Sequence, residues 1–229
     1  MRTHFQQSLT EVSALLVEMS HLVAQAVAEA SEALRTADGH RAEQVISGDS
    51  RIDAFQAEVE ERAIELLARE SPVARDLRMV VSALQLAASL ERAGDLARHV
   101  AELARRRYPE LAVPAPARAT VTEMGQLAHT LVSQAGQALA DQDIEAAARL
   151  AVLDDSLDAL HVKVFTIARE ELTDPGQAVD LTLLSRYFER IGDHAVSIGR
   201  RVEYLVSGTL HKQGAVEESH EVTVGGGQP

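Results

Sequence analysis

The sequence contains one pentapeptide pattern twice, and this repeat limits the folds that the chain can adopt. Glu91-Arg92-Ala93-Gly94-Asp95 returns 98 residues later as Glu189-Arg190-Ile191-Gly192-Asp193. Upstream, Asp49 and Asp53 match Asp154 and Asp158 at a shift of 105 residues. Several matched segments at nearly the same shift predict two copies of one structural unit.

Each copy carries three stretches in which apolar residues recur at every third or fourth position, the pattern of an amphipathic helix. In the first copy, the helices are predicted from Val12 to about Thr36, from the Asp38-Gly39 turn to Ser71, and from Ser71-Pro72 to about Arg107. We interpret Ser71 as the N-cap of the third helix and Pro72 as its first residue.

The second copy repeats this plan. Its helices are predicted from about Arg118 to Ala140, then to about Leu172, and from Asp174-Pro175 to near Val206. Only 3% of the residues are aromatic, and there is no tryptophan. This composition favours close helix packing over a sheet. We therefore predict an all-α fold of two tandem three-helix bundles, with six long helices.

Proline and glycine content predicts the boundaries between the parts of the chain. Three prolines between Pro109 and Pro116 cannot all lie inside a helix, so this stretch is predicted to link the copies. The polar, glycine-rich end of the chain is predicted to be disordered. The predicted parts are residues 1–108 (first copy), 109–117 (linker), 118–208 (second copy) and 209–229 (tail).

The net charge of −13 disfavours nucleic acid and anionic membranes as partners, because both repel an acidic protein. Arg105-Arg106-Arg107 is an exception to this charge, and we interpret it as a set of cations at the end of a helix. The chain has no cysteine, and we find no signal peptide and no apolar run near the eighteen or so residues that span a bilayer. We expect a cytoplasmic protein without membrane insertion.

Pairs of acidic residues spaced four apart occur on the predicted second and third helices of both copies. This spacing places both carboxylates of a pair on one helix face. If the two helices are adjacent and antiparallel, four carboxylates meet at the surface of each copy, and they must take up protons or bind a cation. Oxygen ligands suit hard ions such as Mg²⁺, Ca²⁺, Mn²⁺ or iron. The candidate ligands are Asp49, Asp53, Glu91 and Asp95 in the first copy and Asp154, Asp158, Glu189 and Asp193 in the second.

Alternatives to metal binding remain open for these motifs. Arg92 and Arg190 would neutralise part of the same charge in an ion-pair network without metal. Gly94 and Gly192 would allow either the close approach of an ion or a neighbouring backbone, or plain helix packing. A purely structural helical scaffold would also carry such acidic faces.

A metal-dependent enzyme that uses the carboxylates for hydrolysis or oxidation is the alternative from another functional class. His161 follows Asp158 at a spacing that metal-binding bundles use, but Gln56 stands at the matching position of the first copy. We therefore interpret His161 as a solvated or packed side chain. Neither copy has the Glu-x-x-His pairs of a di-metal oxidase.

Taken together, these motifs resemble those of the PhoU family, the accessory regulators of bacterial high-affinity phosphate transport. The resemblance covers about Leu9 to Gly208. It rests on Asp-x-x-x-Asp in each second helix and Glu-Arg-x-Gly-Asp in each third helix. Two further segments are similar to the family: Pro72 to Arg78 at the start of the third helix, and Arg190 to Ala195 followed by Val202 to Gly208 at the end of the last one.

The resemblance implies a fold and a function. It implies two three-helix bundles in one all-α domain, often dimeric, with metal ions at the eight acidic positions. It also implies a non-enzymatic negative regulator that couples the ATPase of a phosphate ABC transporter to a two-component sensor histidine kinase. Phosphate-starvation genes would then stay off when phosphate is plentiful.

Overall fold

The computed structural model of the chain describes residues 2–209, which form six long helices. No strand occurs in this range, so the predicted all-α fold with two three-helix repeats is confirmed. Of the predicted disordered tail, only Thr209 lies within the described residues. The helices are α1 (Arg2–Thr36), α2 (Gly39–Glu70), α3 (Ala74–Arg107), α4 (Arg118–Asp141), α5 (Ile144–Glu170) and α6 (Pro175–Ser207), with a 3-10 turn at Ala115–Ala117.

Helix α1 begins ten residues before the predicted start at Val12. Phe5 and Leu9 are buried, as are Val12 and Leu16. These four residues are spaced by four, three and four positions, so they continue the apolar stripe that faces the core. The sequence therefore carried the signal for the longer helix.

The predicted N-cap of α3 at Ser71 is wrong. Ser71 lies in the left-handed region with φ of 44° and is the C-cap of α2, whereas the N-cap of α3 is Val73, which makes no side-chain cap bond. Pro72 disfavours helical geometry in the residue before it, so the Ser-Pro pair ends α2 instead of starting α3.

The corresponding cap of α6 is confirmed. Asp174 is the N-cap, its carboxylate accepts a hydrogen bond of 2.9 Å from the backbone N–H of Gly176, and Pro175 is the first helical residue. Asp38 and Asp143 cap α2 and α5 in the same way. An aspartate at each of these positions satisfies a backbone donor that the helix leaves unpaired.

The two copies pack against each other through a shared hydrophobic core. Within each copy, the second and third helices form an antiparallel hairpin that the first helix covers. Between the copies, α1 packs against α4 and α3 packs against α6. Helices α2 and α5 therefore lie on the outside, each against the third helix of its own copy, where the acidic motifs are.

Small residues bring α1 and α4 close together. A Cβ atom added at Gly125 would lie 2.6 Å from Ser31 Oγ, and one added at Gly136 would overlap Ser20 Oγ. The pairing of 31 with 125 and of 20 with 136 shows that the two helices run antiparallel. Glycine at both positions allows the two helices to approach this closely.

By length and composition, α1 is apolar enough to cross a membrane over Phe5–Thr36, which corrects the prediction that no segment comes near this limit. In the fold, its apolar side chains face protein. Met19, Val23 and Val27 are completely buried, and the helix contacts α2, α3 and α4. Packing in the core therefore accounts for the apolar character of α1.

The basic cluster lies in the last turn of α3, as predicted, and it also joins the two copies. Arg107 Nε donates a hydrogen bond of 2.9 Å to Oδ2 of Asp180 on α6, a carboxylate that is almost fully buried. Arg105 contacts Glu43 of α2 at 2.9 Å. The cations thus connect three helices, in addition to their favourable position at a helix C-terminus.

Candidate metal centre

In the first copy, Arg98, which lies three residues beyond the repeated pentad, connects acidic residues of α2 and α3. Arg98 Nε lies 2.6 Å from Asp49 Oδ2 of α2, and its two terminal nitrogens lie 2.8 Å from Asp95 Oδ1 and 2.7 Å from Glu102 Oε1. Each nitrogen of the guanidinium therefore has its own carboxylate partner. Charge-assisted bonds of this kind are roughly twice as strong as neutral ones.

The other two predicted ligands of the first copy, Asp53 and Glu91, lie near the carboxylates that Arg98 contacts. Burial raises the pKa of Asp49, Arg98 counteracts this increase, and the charges of Asp53 and Asp95 add to it. The pKa of Glu91 is raised by burial first and then by Asp95 and Asp53. The four predicted residues are thus within electrostatic reach of one another, with Arg98 among them.

In the second copy, the acidic residues influence one another without such an arginine. Burial and then the charges of Asp158, Asp193 and Glu189 raise the pKa of Asp154 to about 7. The pKa of Glu189 is also raised, by burial first and then by Asp193. The structure therefore brings together the four carboxylates that the sequence predicts for this copy.

Two buried oxygen atoms in the second copy lack a hydrogen-bond partner. These are Asp154 Oδ1 and Glu189 Oε2. The other oxygen of Glu189 binds Arg186, one turn earlier in α6, and only 12% of the Glu189 side chain is exposed. An unpaired buried acceptor costs free energy, so both atoms favour a donor or a cation that would satisfy them.

The carboxylates are not already arranged as a coordination shell. Across residues 2–209, no three Asp, Glu or His side chains surround a common point that would hold an ion. Asp158 and Asp193 are exposed and lie at the rim of the cluster, where their side chains are free to change rotamer. Metal binding would therefore require rotation of these side chains towards Asp154 and Glu189.

The two pentad glycines allow close packing of the helices in each hairpin. A Cβ at Gly94 would lie 2.9 Å from Ile52 Cδ1, so this glycine accommodates an apolar side chain. A Cβ at Gly192 would overlap Asp154 Oδ1 and lie 2.8 Å from Leu157 Cδ2. The packing interpretation thus holds for Gly94, while Gly192 also provides the space that the Asp154 carboxylate occupies.

Replacement of Gly192 by alanine should lower the free energy of unfolding by about 2 kcal/mol, because the added methyl group displaces Asp154 and Leu157. Gly48 is the matched control. It is also inside a helix, but an added Cβ meets nothing within 4 Å. Gly48→Ala should raise the same free energy by up to about 1 kcal/mol, since alanine is the better helix former. Urea unfolding of both variants measures the two changes in the free energy of unfolding. Equal changes would contradict the close packing at Gly192.

His161 packs between α5 and α6. Its Nδ1 lies 3.0 Å from Ser185 Oγ, and that hydroxyl donates a hydrogen bond to the Thr182 carbonyl. The ring also makes an edge contact with Phe165, and burial lowers its pKa. These contacts confirm that His161 is a packed side chain.

The arginines that contact the acidic residues most closely lie outside the repeated pentads. The Arg92 side chain is 66% exposed, and its closest carboxylate oxygen is Glu91 Oε2 at 3.6 Å. Arg190 is also exposed. Arg98 lies three residues after Asp95, and Arg186 lies three residues before Glu189. This spacing places each pair on one helix face and could have indicated both ion pairs from the sequence.

Comparisons with known proteins agree with the repeated architecture. A family model described as the PhoU domain matches residues 16–104 and again residues 121–202. The phosphate-specific transport system accessory protein PhoU homolog 2 of Mycobacterium tuberculosis strain H37Rv is 44% identical over 212 residues, which cover 92% of this chain and all of the relative. Homolog 1 of the same strain is 42% identical over 212 residues, or 92% of this chain and 96% of the relative.

A solved structure shows the same fold. The crystal structure of PhoU from Pseudomonas aeruginosa superimposes with a TM-score of 0.81 at 31% sequence identity, covering 90% of this chain and 100% of that one. The repeated helical hairpins, the doubled acidic motif and these full-length similarities lead to one conclusion: the chain belongs to the PhoU family.

Proposed function

We propose that this protein is a non-enzymatic negative regulator of phosphate uptake and phosphate-starvation signalling. It would link the ATPase of a phosphate ABC transporter to a two-component sensor histidine kinase and keep starvation genes off when phosphate is plentiful. The observation that carries the proposal is the full-length similarity to relatives named as accessory proteins of the phosphate-specific transport system. The proposal includes a cytoplasmic location and a homodimeric state.

The outward position of two helices supports the proposal of two partners. Helices α2 and α5 lie on the outside of the molecule and extend over 32 and 27 residues. Charged residues are frequent on both outward faces, and that of α5 also exposes Val152, Val162 and Phe165. Charges on such surfaces favour specific and reversible docking. Since the copies are related by sequence, the two outer hairpins present similar shapes with different side chains.

A metal ion at the acidic motifs is part of the proposal, and the second copy fits one. Its ligands would be Asp154, Asp158, Glu189 and Asp193, all with carboxylate oxygens, as Mg²⁺, Mn²⁺ or iron prefer. The buried oxygens of Asp154 and Glu189 that lack partners are the atoms that a cation would satisfy. The ion would supply positive charge that holds α5 and α6 together.

A genetic test addresses the regulatory role. Because one relative's organism carries two homologues, every gene of the family should be deleted from the host before this chain is tested. We expect a phosphate-starvation reporter to be active in high phosphate in the deletion strain. Expression of the full chain should restore repression, and the empty vector should not.

Two results would contradict the proposal. Repression that persists in the deletion strain would show that the family is not needed for the response in that host. A reporter that stays active despite normal amounts of this chain would show that the chain is not such a regulator.

A further inference from the structure

One of the positions at which the two copies differ changes the charge within the acidic cluster. The shift of 98 residues that relates the two pentads aligns Arg98 with Val196. Arg98 extends from α3 to the carboxylates of its copy, whereas Val196 is apolar and buried at 6% exposure. At this aligned position, the first copy therefore has a cation that bonds to its acids, and the second copy has an apolar side chain.

In the first copy, Arg98 bridges two of the four predicted metal ligands, Asp49 on α2 and Asp95 on α3. Its three nitrogens contact Asp49, Asp95 and Glu102, which belong to both helices of the hairpin. A guanidinium does not lose its proton in the physiological range, so this positive charge is permanent. An incoming metal ion would have to displace three charge-assisted bonds and would meet repulsion from the same charge.

In the second copy, the corresponding position of α6 is occupied by the apolar side chain of Val196. Arg186 contacts Glu189 along α6 itself and leaves the second oxygen of that carboxylate buried without a partner. Asp154 comes from the opposite helix, and its Oδ1 is also buried without a partner, above the space at Gly192. These unpaired atoms belong to the two helices that a shared ion would join.

We infer that the two acidic motifs are not equivalent: metal binds in the second copy only, and Arg98 is the built-in cation that replaces metal in the first. This inference rests on the metal binding included in the proposed function. It assigns the first motif a permanent structural role and makes the second the only one of the two that responds to ion concentration. The positioning of α2 against α3 is then independent of metal, and that of α5 against α6 is not.

The test is the metal content of the full chain after treatment with chelator, dialysis against Mn²⁺ and removal of free ion. Two double variants are compared, each with the same chemical change in one copy. We expect Asp154→Asn with Glu189→Gln to lose at least nine-tenths of the bound manganese. Asp49→Asn with Glu91→Gln should retain at least nine-tenths of it.

Arg98→Val gives the first copy the residue of the second, and we expect additional manganese that the wild type does not bind. Val196→Arg makes the opposite change and should reduce the manganese content. Should Arg98→Val fail to fold, the two acidic double variants, which keep Arg98, still decide the question. Circular dichroism of every variant shows which of them are folded.

Each outcome separates this inference from the proposal on which it rests. Loss of a substantial share of the manganese in the first-copy double variant would overturn the inference and leave metal binding intact. A wild-type chain that binds no manganese, magnesium or iron would overturn both the inference and the metal part of the proposed function. The reporter assay tests the regulatory part separately.

Discussion

Replacing Arg98 by alanine in metal-free buffer should lower the free energy of unfolding by about 3 kcal/mol, the low end of the range for breaking a buried ion pair. The variant leaves Asp49, whose side chain is only 10% exposed, without its cation, while Asp95 and Glu102 remain beside it. A buried charge without a partner is unfavourable, and like charges nearby increase the cost. Urea unfolding followed by circular dichroism at pH 7.5 measures the change.

Arg92→Ala is the matched control for Arg98→Ala, because it removes an arginine from the same helix and the same motif. Its side chain is 66% exposed and lies 3.6 Å and 3.8 Å from its carboxylate partners. An ion pair of this kind contributes between zero and about 1 kcal/mol. Similar decreases in the free energy of unfolding for both variants would show that Arg98 does not stabilise the acidic residues of the first copy.

Asp154 should make the metal-free protein less stable as the pH rises from about 4 to about 7. The folded protein holds the pKa of Asp154 at about 7, above the ordinary value of 3.8 that applies to the unfolded chain. Between these values, the folded state binds more protons than the unfolded state, so raising the pH favours unfolding. We expect this group to lower the free energy of unfolding by about 2 kcal/mol, because rearrangement of the exposed neighbours reduces the full effect of about 4 kcal/mol.

Asp154→Asn should remove most of this pH dependence and raise the free energy of unfolding at pH 8 by about 2 kcal/mol. Glu61→Gln is the control, since Glu61 is an exposed carboxylate on α2 outside both acidic clusters. Unfolding in urea at pH 5, 6, 7 and 8 with chelator present gives the curves. Parallel curves for the wild type and Asp154→Asn would contradict the raised pKa of Asp154.

The repeat and its apolar periodicity were sufficient to predict the helical architecture. Each of the six long apolar stripes became a helix that packs against two or three neighbouring helices. Few other folds would bury so many apolar faces in a sequence so poor in aromatic residues. The cap at Asp174-Pro175 was predictable for a local reason, since the carboxylate and the ring act on the same helical turn. Ser71-Pro72 looked the same in sequence, yet the left-handed backbone at Ser71 ended α2 there.

The candidate site was predictable in outline but not in its charge balance. Spacing placed the acids of each pair on one helix face, and antiparallel packing of the hairpins brought the pairs together. Which arginine reaches them depends on the direction of each side chain across the helix interface. The exposed Arg92 lies within the motif and makes only long ion pairs with Glu91 and Asp95. Arg98 lies one turn beyond the motif and makes the closer contacts, which proximity in sequence did not indicate.

The central claim is that the carboxylates of the second copy surround a cation. The most direct test is a crystal of the full chain grown with Mn²⁺ and without chelator, measured at a wavelength where manganese scatters anomalously. We predict an anomalous peak between Asp154 and Glu189, within about 2.0–2.6 Å of their oxygens, the range for hard cations. A map with no peak at this site, or with its only peak beside Asp49 and Arg98, would contradict the account.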